Sequence, residues 1–245
     1  MNRAVVEICV ESPEAALAAQ FGGADRVELC GDLTDGGTTP SFGAIARTRE
    51  LLSIKLHIII RPRGGDFLYS EIEIDTMRRD IEAAKTLGVD GVVFGFLDAD
   101  GNIDAVRTRE FADLARPMSV TFHRAFDAAN DPSAALEELI ACGVDRVLTS
   151  GQKNLAAEGV ELLKALVEQA GERIVVMVCG SLRPDNIRSI VAAANAKEVH
   201  FTAFTPFESE MRYRNDVRMG GSPPDSEYIR NVTDAELVRA TIDAI

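Results

Sequence analysis

Short runs of large aliphatic residues alternate along this chain with longer stretches whose apolar positions recur every three or four residues. Runs of the first kind read as strands buried on both faces, and stretches of the second kind as helices with one apolar side. Eight strand-like runs lie at roughly 4–10, 25–30, 55–61, 90–95, 118–123, 145–150, 173–179 and 197–202. Helix starts fall between them. Ser12 precedes Pro13-Glu14, giving an N-cap, a proline at the first helical position and an acidic first turn. Asp131-Pro132 and Pro184-Asp185 repeat that pattern, while Ser70 with Glu73 and Thr233 with Glu236 have capping-box spacing.

A local signature recurs as well. Gly23-Ala24-Asp25-Arg26-Val27, Gly88-Val89-Asp90-Gly91-Val92 and Gly143-Val144-Asp145-Arg146-Val147 each close a helix with glycine and enter a strand. Asn195-Ala196-Lys197-Glu198-Val199 is a degenerate fourth copy. The intervals of 65, 55 and 52 residues (23 to 88, 88 to 143, 143 to 195) each span two strand–helix units. Four such pairs predict a (β/α)8 TIM barrel formed by one domain over 1–245. An open doubly wound sheet is the competing arrangement, but no Gly-x-Gly-x-x-Gly follows the first strand. The stretch 203–232 stands out as a long, charged, irregular segment before the last helix, expected to lie beside the barrel mouth or in a subunit interface.

Alternation sorts the strand residues. Helices cover the outside of such a barrel, so the aliphatic positions face outward and the intervening ones face in. Glu7, Cys9, Glu28, Cys30, His57, Arg61, Thr121, His123, Met177, Cys179, His200 and Thr202 are thereby assigned inward. Two glutamates, an arginine and three histidines make a polar interior, which is costly to bury unless paired or hydrated. A structural Glu–Arg network filling the barrel and an active site at the C-terminal mouth both account for it.

Candidate chemistry concentrates at the strand ends. Arg61-Pro62-Arg63-Gly64-Gly65 follows a buried strand with two guanidiniums and free backbone N–H groups, a combination suited to a carboxylate or phosphate. Arg124 joins Arg61 and Arg63 as a candidate anion-binding cation, with Asp127 and Ser150 at nearby strand ends as further substrate-binding candidates. Glu7 and Glu28 are a carboxylate pair able to split into acid and base, and His123 is a second candidate base. Cys9 and Cys30 end neighbouring strands on one face, with Cys179 a third inward sulfur; soft thiolates select Cu(I) or Zn(II), and reduced core thiols are the bland alternative. Cys142 reads as a small core hydrophobe.

Bulk properties narrow the partners. A formal net charge of −13 argues against nucleic-acid and anionic-membrane surfaces. The N-terminal residues lack a signal-peptide pattern and no run reaches membrane-spanning length, so a cytoplasmic protein with reduced cysteines is expected.

The longer motifs resemble one family. Glu7-Ile8-Cys9-Val10-Glu11-Ser12, Gly22 through Cys30, Gly36 through Ser41, Arg61 through Ser70, Val120 through Asp127 and Asp145 through Gly151 occur in order, with Tyr213-Arg214-Asn215 and Met219-Gly220 further on. They are similar to the copper homeostasis protein CutC family. The resemblance implies a cytosolic TIM barrel tied to copper tolerance, with Cu(I) on Cys9 and Cys30. After the seventh strand the chain departs from that pattern, carrying Val178-Cys179-Gly180-Ser181 where the family has a Pro-Gly-Gly-Gly run. Two functions follow. One is Cu(I) binding through Cys9 and Cys30, with Cys179 as a third donor. The other is an enzyme acting on a small anionic metabolite at the mouth. In either case a homo-oligomer is expected.

Overall fold

In the computed structural model, residues 3–217 and 226–245 are described. Eight parallel strands close into a barrel in chain order: β1 (Val5–Val10), β2 (Arg26–Leu29), β3 (Lys55–Ile59), β4 (Gly91–Phe94), β5 (Ser119–Phe122), β6 (Arg146–Thr149), β7 (Val175–Val178) and β8 (Glu198–Phe201). Each lies inside one of the eight apolar runs. β8 pairs back on β1, with Val6 opposite Val199 and Glu7 opposite His200. Outside run helices α1 (Pro13–Gly22), α2 (Phe42–Leu51), α3 (Glu71–Thr86), α4 (Ala105–Ala115), α5 (Pro132–Ala141), α6 (Val160–Ala170), α7 (Ile187–Ala194) and α8 (Ala235–Asp243). Outward strand residues such as Ile8, Leu29, Leu56 and Ile58 are fully buried beneath them. Each such side chain contributes about 1.5–3 kcal/mol.

The recurring signature has a structural meaning. Gly23, Gly88, Gly143 and Asn195 all adopt the left-handed conformation that stops a helix. The aspartate two residues after each glycine then binds the preceding strand. Asp25, Asp90 and Asp145 accept from the backbone N–H of Val6, Leu56 and Val120 at 2.8, 2.9 and 2.7 Å. Arg3, Arg49 and Arg116 neutralise these three carboxylates in turn. Each clamp therefore joins the two strands of one repeat: β1 to β2, β3 to β4, β5 to β6. In the fourth copy Lys197 replaces the aspartate, and only its backbone carbonyl engages the next strand, at Val5.

Helix starts follow the caps at Ser12, Asp131 and Ser70, where Ser70 and Glu73 form a complete capping box. Two starts differ from expectation. α7 begins at Ile187 rather than at Pro184-Asp185, because the Asn186 side chain bonds Arg183 N–H and the Ser181 carbonyl and folds 183–186 into a turn. α8 is capped by Asp234, which accepts from Glu236 and Leu237 N–H; Thr233 is occupied in strand pairing with Phe204.

The stretch 203–232 is more ordered at its ends than its composition suggests. β9 (Phe204–Glu208) and β10 (Ile229–Thr233) form an antiparallel pair, with the Arg230 guanidinium 5.3 Å from the Phe207 ring centre. Residues 218–225, including Met219-Gly220, lie outside the described residues. Among the described residues no helix is long and apolar enough to cross a membrane.

Two glycines of the β4 region shape the interior. A Cβ on Gly91 would fall 2.5 Å from His57 Nε2, and one on Gly95 would fall 2.6 Å from His123 Cε1. The β4 side of the barrel thus leaves room for both imidazoles.

Candidate metal and ligand site at the barrel mouth

The interior is built in floors. Lowest lies an ion-pair chain: Arg26 bridges Glu7 and Glu198, and Arg146 adds a second cation on Glu198 at 3.1 Å. Arg26 also donates to the Met177 sulfur at 3.2 Å. The inward charges do form a structural network, but its guanidiniums are Arg26 and Arg146 rather than Arg61. The same alternation that placed Glu28 and His200 inward also places Arg26 and Glu198, two residues earlier, and that signal was available in the sequence.

Above this chain Glu7 accepts from His200 Nδ1 at 2.8 Å, and Glu28 lies 3.6 Å from the same nitrogen. The two glutamates separate. Burial alone would raise Glu7, but Arg26 and the His200 hydrogen bond hold its carboxyl far below the usual range. At Glu28 burial and the neighbouring Cys9 outweigh His200 and Arg26 and push the carboxyl well above that range. Burial pulls His200 down, yet its bonds to Cys9 and Glu7 and the charges of Glu28 and Glu7 raise it on balance.

Cys9 and Cys30 form the next floor. Cys9 pairs across the ladder with Glu28, and Cys30 follows two residues on, so both thiols rise toward the mouth with sulfurs 3.5 Å apart. Both are buried free cysteines. The hydrogen bond from Cys30, aided by His200, lowers Cys9 to about 6 against the opposing effect of burial. Cys30 is correspondingly raised, since its proton serves the Cys9 sulfur. Sulfurs and carboxylate of Cys9, Cys30 and Glu28 lie within 4.8 Å of one another, as do ligand atoms of Glu7, Glu28 and His200.

Over the thiols opens a cavity of about 330 Å³, lined by Cys9, Glu28, Cys30, Arg61, His123, Arg124 and His200, with Ile59, Phe67 and Leu148 among its apolar walls. Glu7 does not line it, because Arg26 and His200 take both its oxygens one floor below. His123 caps a short turn through Nδ1, which accepts from Ala125 N–H at 3.1 Å. Arg61 donates to the carbonyls of Asp35, Gly37 and Gly65, each at 2.8 Å, tying together the loops after β2 and β3. Arg63 turns away from the cavity and pairs with Glu73 and Asp66. Arg124 donates to Asp127 and to the Ser150 hydroxyl, both at 2.7 Å, and Asp127 also accepts from Thr149 and from Ser150 and Gln152 N–H. Asp127 and Ser150 thus hold Arg124 at the rim. Cys179 packs with Leu148 and Met177, its thiol raised by burial, and belongs to neither ligand cluster.

An eight-stranded parallel barrel with a buried thiol pair at its C-terminal mouth defines the class. The sequence matches the CutC family over residues 4–205, and the chain belongs to that family. It is 53% identical over 242 residues to a CutC family protein of Chromobacterium violaceum, covering 98% of both chains. It is 48% identical over 245 residues to the human copper homeostasis protein cutC homolog, covering 100% of this chain and 89% of that one. Among solved structures, the CutC copper homeostasis protein of Streptococcus agalactiae superposes with a TM-score of 0.77 at 33% identity, over 81% of this chain and 98% of that one. A phosphoribosylanthranilate isomerase of Thermotoga maritima, 15% identical with a TM-score of 0.58 over 100% of this chain and 98% of that one, shares the fold.

Proposed function

We propose that this protein serves copper homeostasis by holding Cu(I) between the thiolates of Cys9 and Cys30. The observation that carries the reading is the 3.5 Å separation of the two sulfurs. Two sulfurs at that distance can share one ion through bonds of slightly over about 2 Å. The donor set suits a soft monovalent ion: two sulfurs, with a Glu28 carboxyl beside them whose affinity for its proton burial raises. Copper when bound would supply a thiolate-ligated Cu(I) centre. The chain's own residues prepare for it. His200 lies beside Cys9 and favours its thiolate, while Glu7 and Arg26 anchor His200 from below. Burial keeps solvent from both sulfurs. The relatives' naming as copper homeostasis proteins agrees with this reading, as does a cytoplasmic setting, where thiols stay reduced.

The test is Cu(I) affinity by competition with a chromophoric chelator. Cys9→Ser with Cys30→Ser should abolish high-affinity binding while leaving the far-ultraviolet circular dichroism spectrum intact. Equal affinity in variant and parent would remove the reading.

A further inference from the structure

The cavity above the thiols is larger than one metal ion needs, and two of the side chains that line it each carry a buried nitrogen with no partner. His123 is 5% exposed. Its Nδ1 accepts from Ala125 N–H, so in the neutral ring the proton sits on Nε2, and Nε2 meets no acceptor in the protein. Arg61 is likewise 5% exposed, and its Nε–H is also without a partner. Both side chains lie close to one ring: the His123 centroid is 5.1 Å, and the Arg61 guanidinium carbon 5.3 Å, from the centroid of Phe67.

Buried polar groups are nearly always bonded, and two unbonded donors on residues lining one cavity call for an acceptor from outside the chain. Charge gives its sign. The three partners of Arg61 are neutral carbonyls, and it forms no ion pair among the described residues. A buried cation without a counter-charge is expensive unless a ligand or hydration supplies compensation. The volume of about 330 Å³ falls in the range of small-molecule sites, about 300–1,000 Å³.

We propose that this cavity binds a small organic carboxylate, whose oxygens accept from His123 Nε2–H and Arg61 Nε–H and whose carbon body rests on Ile59, Phe67 and Leu148. Two donors carried by residues of one lining match the two oxygens of a carboxylate, and the apolar walls favour an organic body over a bare inorganic anion. Burial and the nearby Arg61 lower His123 to about 3, so the ring stays neutral and keeps its donor through the ordinary pH range. The inference shares the mouth with the copper reading but does not depend on the metal.

The experiment uses the copper-free protein, so its outcome is independent of whether Cu(I) binds. Sodium benzoate and sodium succinate are titrated against sodium phosphate and sodium chloride at equal ionic strength, following Tm and the His123 Nε2 signals in nitrogen-15 NMR. At least one carboxylate should raise Tm and shift the Nε2–H resonance. His123→Asn keeps an acceptor for Ala125 N–H and loses the Nε2 donor, and should weaken carboxylate binding about tenfold or more. The NMR measurement on the unaltered protein stands even if that variant folds poorly. A parent His123 signal unmoved by either carboxylate, parental affinity in a folded His123→Asn, or phosphate binding in preference to both would overturn the proposal.

Discussion

His200 and Glu7 are 193 residues apart in the chain and 2.8 Å apart across the seam where β8 meets β1. That hydrogen bond spans the closing pair of strands and sets the charge of the site above it. Arg26 holds Glu7 ionised from below, Glu7 favours a protonated His200, and His200 in turn favours a thiolate at Cys9.

Arg26 is the keystone of the lower floor. Replacing it by methionine leaves Glu7 and Glu198 facing each other with one cation fewer. The expected loss is about 3–5 kcal/mol of unfolding free energy by urea titration. Arg47→Ala, which breaks an exposed pair with Glu50, should change stability by no more than about 1 kcal/mol. A loss of similar size in both variants would show that burial of the network has no special weight.

Acid should destabilise the protein through its buried imidazoles. Burial lowers His57 and His123 to about 3 from an ordinary 6.5. Between pH 6.5 and 3 the unfolded chain therefore binds more protons than the folded one, and stability falls as pH falls. Glu28, raised, acts in the opposite sense above its ordinary 4.5, while His200, raised, contributes only above 6.5, so the difference between variants is the cleaner reading. His123→Asn should flatten the acid limb by about one proton, close to 1.4 kcal/mol per pH unit. Parallel acid limbs in parent and variant would show that His123 protonates normally in the folded state.

Cys179 should be dispensable for metal binding. It packs with Leu148 and Met177, apart from Cys9, Cys30 and Glu28. Cys179→Ala should leave Cu(I) affinity unchanged in a chelator competition. Zn(II), which prefers four donors, should compete poorly at a two-sulfur site. A marked fall in Cu(I) affinity for Cys179→Ala would place a third sulfur at the metal.

The outer hairpin carries the exposed apolar side chains Phe207 and Ile229, and the segment after β9 adds Met211 and Tyr213. Exposed apolar side chains of this kind are suited to a subunit contact. Met211→Asp with Ile229→Asp should lower the sedimentation coefficient toward that of a monomer. An oligomeric state unchanged by both substitutions would assign self-association elsewhere.

Much of this was readable before any coordinates. Eight apolar runs mark the strands because a strand covered on both faces must be aliphatic on its outer side, and the Gly-x-Asp signature marks the repeats because each copy is a working clamp, as Asp25, Asp90 and Asp145 show. Alternation also assigned the inward faces of Glu7, Cys9, Glu28, Cys30 and His123. The helix stop at Asn195 was legible, whereas the starts of α7 and α8 were not: the Asn186 side chain bonds back to the preceding turn at Arg183, and Asp234 accepts from the first N–H groups of α8.

What the sequence determined, then, is which residues face the barrel axis, because side-chain direction along a strand is a local property with period two. What only the tertiary structure decided is which inward residues meet. Closing the ring set β8 against β1 and gave Glu7 to His200 and Arg26, not to Arg61. The loop carbonyls of Asp35, Gly37 and Gly65 reached Arg61 first and left its buried Nε–H unbonded. Pairing around a closed barrel depends on strand stagger and loop path, and neither is written in the alternation of any single strand.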